Sequence, residues 1–170
     1  MNLIPVENTK NHYHVCKTWF ENRDITKWLT SILRFSKYHR LIHEMLITNR
    51  RNRLFFISVE NTFKGLVGFT NIDPVDRRAE IWFLIGEESD RNKNYATDAV
   101  NLLKEIAVKD LKLVTLYAQV CELNVASMRL LEKVDFKYAG RFRKGFFIDG
   151  EYKNFLIYDW VNPQIEQSPK

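Results

Sequence analysis

Residues 78–120 run through an apolar β-rich segment, a polar cationic turn, an amphipathic helix and a second β-rich segment, in that order. The two β-rich segments are RAEIWFLIG (78–86) and LVTLYAQV (113–120). Between them lies SDRNKNYATDAV (89–100), and Ala96, Ala99, Val100, Leu103, Ile106 and Ala107 recur at helical spacing over about 94–109. Two strands joined through a helix and returned to one sheet lie parallel, with a right-handed crossover. The chain must therefore build a sheet with at least one parallel pair.

The other segments read as hairpins and helices. NLIPV near the start is a short strand, and NTKNHYHVCKTWFENRD is a helix with its exit. DITKWLTSILRFSKYHRLIHEMLITN is one or two helices rich in apolar residues. RLFFISVE (53–60) and KGLVGFTNI (64–72) join RAEIWFLIG in an antiparallel meander, with NTF before Lys64 and DPVD (73–76) as turns. NVASMRLLEKV (124–134) is a helix, and FKYAGRFR (136–143) and YKNFLIYDW (152–160) close the chain around an Asp149-Gly150 turn. The order β-αα-βββ-α-β-α-ββ predicts an α+β fold: a mixed, mostly antiparallel sheet of about seven strands flanked by about four helices. Residues 1–162 are expected to form one domain, and 163–170, with Pro163 and Pro169, a flexible tail.

Charge narrows the partners. The net charge is +5, from 26 Lys and Arg against 21 Asp and Glu, which favours anionic ligands such as phosphates. The densest basic run, Arg50, Arg51 and Arg53, is short, so nucleic acid is not expected as the main partner. Cys16 and Cys121 form no metal spacing with His12, His14, His39 or His43, and no metal is expected. No apolar run of about 18 residues is present, so no membrane partner and a cytoplasmic location are expected.

The turn at 91–94 carries the first chemistry. A helix N-terminus offers unpaired N–H groups and the positive end of a dipole, which together suit a phosphate. Arg91 adds a bidentate cation there. An ordinary solvated helix start has the same composition, so the turn by itself leaves both readings open.

Two matches outside composition decide between them. AEIWFLIGEESDRNKNYATDAV resembles the acetyl-coenzyme A motif of the Gcn5-related N-acetyltransferase (GNAT) superfamily, with Arg91 and Ala96 at its marked positions and Asn94 where that family prefers Gly. ELNVASMRLLEKVDFKYAGRFRKGFFIDGEYKNFLIYDW resembles the family's later segment through Asn124, Ser127, Leu131, Glu132, Lys133, Phe136 and Gly140, with Asp135 in place of Gly. The branch it is most similar to contains ribosomal-protein N-terminal acetyltransferases and amino-sugar acetyltransferases.

The resemblance implies acetyl-CoA as co-substrate and direct attack by an amine in a ternary complex. It implies cofactor contacts from the backbone of Phe83, Leu84 and Ile85, and from Arg91, Asn92, Lys93, Asn94, Tyr95, Ala96, Thr97, Asn124 and Ser127. Leu131 stands where many of the family carry a Tyr acid, and Ser127 is the expected partner of the departing sulfur. A plain helix-bonded hydroxyl is the competing account of Ser127.

Glu80 is the expected general base. Strand alternation puts Glu80, Trp82 and Leu84 on one side of RAEIWFLIG and Ala79, Ile81 and Phe83 on the other. A carboxylate on an apolar strand is either a solvated edge group or a base with raised pKa. Asp76 and Glu44 are lesser candidates.

For the acceptor, Trp28, His39, Phe147 and Tyr152 are expected to line the site, although core packing also explains aromatic residues. Arg141, Arg143 and Lys144, with the resemblance of FENRDITKWL to amino-sugar acetyltransferases, point to a nucleotide-linked amino sugar. A protein N-terminus is the alternative acceptor, and an inactive acetyl-CoA-binding or regulatory module the alternative of another kind. A monomer or homodimer is expected.

Overall fold

A computed structural model describes residues 1–29 and 40–165. One seven-stranded sheet runs through it in the order β1-β2-β3-β4-β5-β7-β6. The strands are β1 (Asn2–Pro5), β2 (Arg53–Val59), β3 (Thr62–Asp73), β4 (Arg78–Ile85), β5 (Thr115–Cys121), β6 (Lys137–Ile148) and β7 (Glu151–Val161). The α-helices among the described residues are α1 (Lys10–Phe20), α2 (Arg23–Thr26), α3 (Arg40–Thr48), α4 (Tyr95–Lys109) and α5 (Val125–Lys133). The predicted fold class holds: β4 and β5 are the parallel pair, and all other pairings are antiparallel.

Several boundaries moved for local reasons. The first predicted helix ends at Phe20, and Asn22 opens α2 by accepting the Asp24 N–H on its side chain. The turn before β3 is Glu60-Asn61, both left-handed, one residue earlier than NTF. Asp149 and Gly150 take φ of 51° and 81°, the paired positive values a two-residue hairpin turn demands. β6 continues to Ile148 rather than stopping at 143, because a register shift between Phe142 and Phe146 absorbs Arg143-Lys144-Gly145. Of the expected tail, Gln164 and Ile165 donate their N–H groups to Asn162 in a turn, and 166–170 lie outside the described residues.

The sheet divides the core. On one face α4 buries Ala99, Val100, Leu103 and Ala107 against Val67, Phe69, Ala79, Ile81, Leu116 and Ala118. Each buried Val or Leu there is worth about 1.5–3 kcal/mol in apolar area. On the other face Trp19, Phe20 and Ile25 meet Phe56, Leu66 and Leu84. Gly86 allows the closest approach between these layers: a Cβ on it would stand 2.1 Å from the Trp19 ring. Among the described residues no helix is long and apolar enough to cross a membrane.

Candidate active site

β4 and β5 pair over three residues only. Arg78 faces Thr115, Ala79 faces Leu116 and Glu80 faces Tyr117. Beyond them β4 runs on to Ile85 and β5 to Cys121 without sharing hydrogen bonds. β4 keeps its partner β3 on the far side, so its near edge is unpaired from Ile81 onward. The gap opens into a cleft of about 770 Å³. Its walls include Ile81 to Ile85 on β4, Ala118 to Cys121 on β5, the turn before α4 and the first turns of α5.

The turn is shaped by left-handed residues. Asn92 and Asn94 take φ of 60° and 63°, and Asn tolerates that region better than most side chains. Asn94 caps α4 with its backbone: its carbonyl accepts the Asp98 N–H at 2.9 Å, the first helical bond. The N–H groups just before it in α4 have no helical acceptor and sit at the cleft wall with Tyr95, Ala96 and Thr97. Asn94 therefore supplies the geometry for which the family prefers Gly. Its side chain has a second use, since its Oδ1 accepts from Lys133 Nζ of α5 at 2.9 Å. Asp135, also in the place of a Gly, is likewise left-handed at φ 67°.

Asp90 anchors the same turn. Its carboxylate is buried and receives Lys93 at 3.0 Å and Lys64 of β3 at 3.2 Å. The hydrogen bond from Lys93 is the main cause that holds this carboxyl below its usual range. Lys93, an expected cofactor contact, is thus engaged with Asp90 and is not part of the cleft wall. The other expected cofactor residues do line it: Phe83, Leu84, Ile85, Arg91, Asn92, Asn94, Tyr95, Ala96, Thr97, Asn124 and Ser127. Asn124 is also the N-cap of α5, accepting the Ser127 N–H on Oδ1 at 3.2 Å. Leu131 is fully buried in the main core.

Glu80 lies just beyond the cleft, at the last paired position before the strands part. The alternation read from sequence holds: Ala79 and Ile81 are in the α4 core, whereas Trp82 and Leu84 face α1 and α2. Glu80 is half-buried, and Oε2 accepts from Asn71 Nδ2 at 2.9 Å. Burial pushes its carboxyl above the ordinary value, and the Asn71 bond opposes that rise. The lesser candidates are committed elsewhere. Asp76 pairs with Arg78 at 3.3 Å, and Glu44 with Arg40 and Asn8.

The expected acceptor residues do not converge. Trp28 lines the cleft and packs near Cys121 and Phe146. Phe147 and Tyr152 instead meet across the β6–β7 hairpin as a tilted ring pair, 5.0 Å apart, exposed and outside the cleft wall. Phe147 alternates between the buried Phe146 and Ile148, so it and its cross-strand partner Tyr152 take the opposite face of the hairpin. His39 lies outside the described residues. Arg141, Arg143 and Lys144 are exposed on β6 and do not line the cleft, whereas Arg129 and Lys133 of α5 do. Arg129, Asp90 and Asn71 were not singled out in the sequence, and Lys133 entered only as a match to the family's later segment. Arg129 and Lys133 stand one helical turn apart, which was the available signal. Among the described residues no group of three His, Cys, Asp or Glu side chains is placed to hold a metal.

A parted parallel pair above a phosphate-shaped helix start is the architecture of one class of acyl-transferring enzymes. Residues 1–137 match the family described as Acetyltransferase (GNAT) domain, and the chain belongs to it. It is an N-acetyltransferase that uses acetyl-CoA as co-substrate. The spermidine N(1)-acetyltransferase of Escherichia coli K12 is 28% identical over 151 residues, 89% of this chain and 76% of that one. A probable N-acetyltransferase of Bacillus subtilis is 32% identical over 105 residues, 60% of this chain and 58% of that one. In fold, the chain is similar to a crystal structure of spermidine N-acetyltransferase from Vibrio cholerae in complex with CoA and spermine. The TM-score is 0.83, with 21% identity and 94% of each chain covered. The expectation of a nucleotide-linked amino sugar finds no support in these relatives.

Proposed function

We propose that this enzyme acetylates a primary amine of a cationic aliphatic polyamine. The observation that carries the reading is the half-buried carboxylate of Glu80, which has no ion-pair partner among the described residues and sits where the strands part. A carboxylate so placed attracts an ammonium group and then takes its proton. The name of the Escherichia coli relative supports the same acceptor class. The basic balance, which had suggested an anionic acceptor, has another use: Arg91, Arg129 and Lys133 line the same cleft as the start of α4, where a diphosphate belongs.

In the proposed reaction Glu80 accepts a proton from the ammonium, directly or through water. The neutral nitrogen attacks the thioester carbonyl carbon, the C–S bond breaks, and the thiolate leaves. The backbone of Phe83, Leu84 and Ile85 holds the thioester arm along the unpaired edge of β4. Arg91, Asn92, Asn94, Tyr95, Ala96 and Thr97 receive the diphosphate. Asn124 orients the start of α5, and Ser127 donates to the departing sulfur. Across the reaction an ammonium and acetyl-CoA become an amide, free CoA thiol and one proton.

Product identification tests the acceptor. Spermidine, spermine, a UDP-amino sugar and a short peptide are offered separately with acetyl-CoA, and products are read by mass spectrometry. A singly acetylated polyamine is expected. Acetylation of the sugar or the peptide with both polyamines inert overturns the proposal.

A further inference from the structure

A polar cluster closes the parted end of the sheet. β3 breaks register with β4 between Thr70 and Asp73, and within that irregularity Asn71 stands with φ of 53°. Few side chains other than Asn and Asp accept that backbone without strain. From it the Asn71 amide donates to Glu80 Oε2 at 2.9 Å. Tyr117 is the β5 residue opposite Glu80 in the last parallel pair. The next residues on the two strands, Ile81 and Ala118, already line the cleft. One amide therefore ties β3 to β4 beside Tyr117 of β5, at the point where the gap begins.

We propose that Asn71 is a positioning residue for acetyl transfer: it fixes the Glu80 carboxylate at the parting of β4 and β5 and thereby sets the pH at which the acceptor amine gives up its proton. This rests on the reading of Glu80 as the base. The direction follows from which form each contact favours. Burial favours neutral Glu80, and the Asn71 N–H favours the ionised carboxylate, so loss of the amide keeps Glu80 protonated to higher pH. On the Glu80 face of the sheet the neighbouring titratable and charged groups include Tyr117 on β5, Asp159 of β7 beyond it in register, and Arg78 two residues back on β4. The Arg78 guanidinium is engaged by Asp73 and Asp76.

The test compares pH profiles of kcat/KM for the amine in the wild type, N71G, N71D and E80Q. Gly adopts the Asn71 backbone without strain, so N71G removes the amide and keeps the irregularity in β3. Its acidic limb is expected to move up by about one pH unit, with the KM for acetyl-CoA unchanged. N71D keeps size and backbone but adds a like charge, so its limb moves further the same way. A limb that stays at the wild-type pH in N71G, whatever happens to the overall rate, overturns the role of Asn71. If N71G does not fold, the same outcome in N71D overturns it. E80Q separates the two readings. Loss of the limb in E80Q with an unmoved limb in N71G leaves Glu80 standing and removes Asn71. A limb retained in E80Q removes both.

Discussion

The two ends of the cleft are built by different means. The cofactor end is a continuous stretch of chain, from β4 through the turn at 91–94 into α4. In the proposed reading its binding groups are backbone amides with Arg91 beside them, and several of its side chains act inward: Asp90 on Lys64 and Lys93, Asn94 on Lys133. The acceptor end is assembled from three strands, with Asn71, Glu80 and Tyr117 each contributed by a different one. A site made of backbone tolerates substitution as long as φ is kept, which is why Asn replaces Gly at 94 without loss of the turn. A site made of side chains on separate strands has no such tolerance. This contrast predicts that single changes at the acceptor end act on rate and those at the cofactor end on affinity.

The largest effect is expected from Glu80→Gln. The rate at neutral pH should fall by about 10²-fold or more, the usual scale for general base catalysis. The dissociation constant for acetyl-CoA should stay the same by calorimetry. A matching loss of cofactor affinity would break the contrast. Next comes Arg91→Ala, expected to weaken acetyl-CoA binding by about tenfold or more, as a charge-assisted contact of ~1.5–3 kcal/mol requires. Single-turnover acetyl transfer at saturating cofactor should then proceed at the wild-type rate.

Gly86→Ala forces a methyl group against Trp19 and should cost about 1–3 kcal/mol of stability by overpacking, read by denaturant unfolding. The smallest effect is expected from Asn124→Ala, about 1 kcal/mol from a lost N-cap. A far larger fall in turnover than in stability would show that Asn124 acts on the cofactor beyond capping α5.

Much of this was legible in the sequence. The crossover from 78 to 120 required a parallel pair, and the apolar spacing of α4 placed its buried face on the sheet. The strict alternation in RAEIWFLIG was enough to put Glu80 on the side away from α4. Phe147 and Tyr152 fall outside the cleft wall, because aromatic content does not say which face of a hairpin a residue takes. Asn71 could not be found, since nothing in KGLVGFTNI marks a break in register, and its partner is nine residues away on another strand. Lys93 looked like a phosphate ligand by position, and only the buried Asp90 beside it explains its direction.

The sequence by itself determined the local objects: strands, helices, the left-handed turn and the cationic residue before α4. These follow from side-chain periodicity and backbone preference, which act over a few residues. The tertiary structure alone decided that β4 and β5 pair for three residues and then part, and that Asn71, Glu80 and Tyr117 meet at that point. Hydrogen-bond register between strands is fixed by packing of the whole sheet on its helices, and no short-range preference encodes where such a pairing ends.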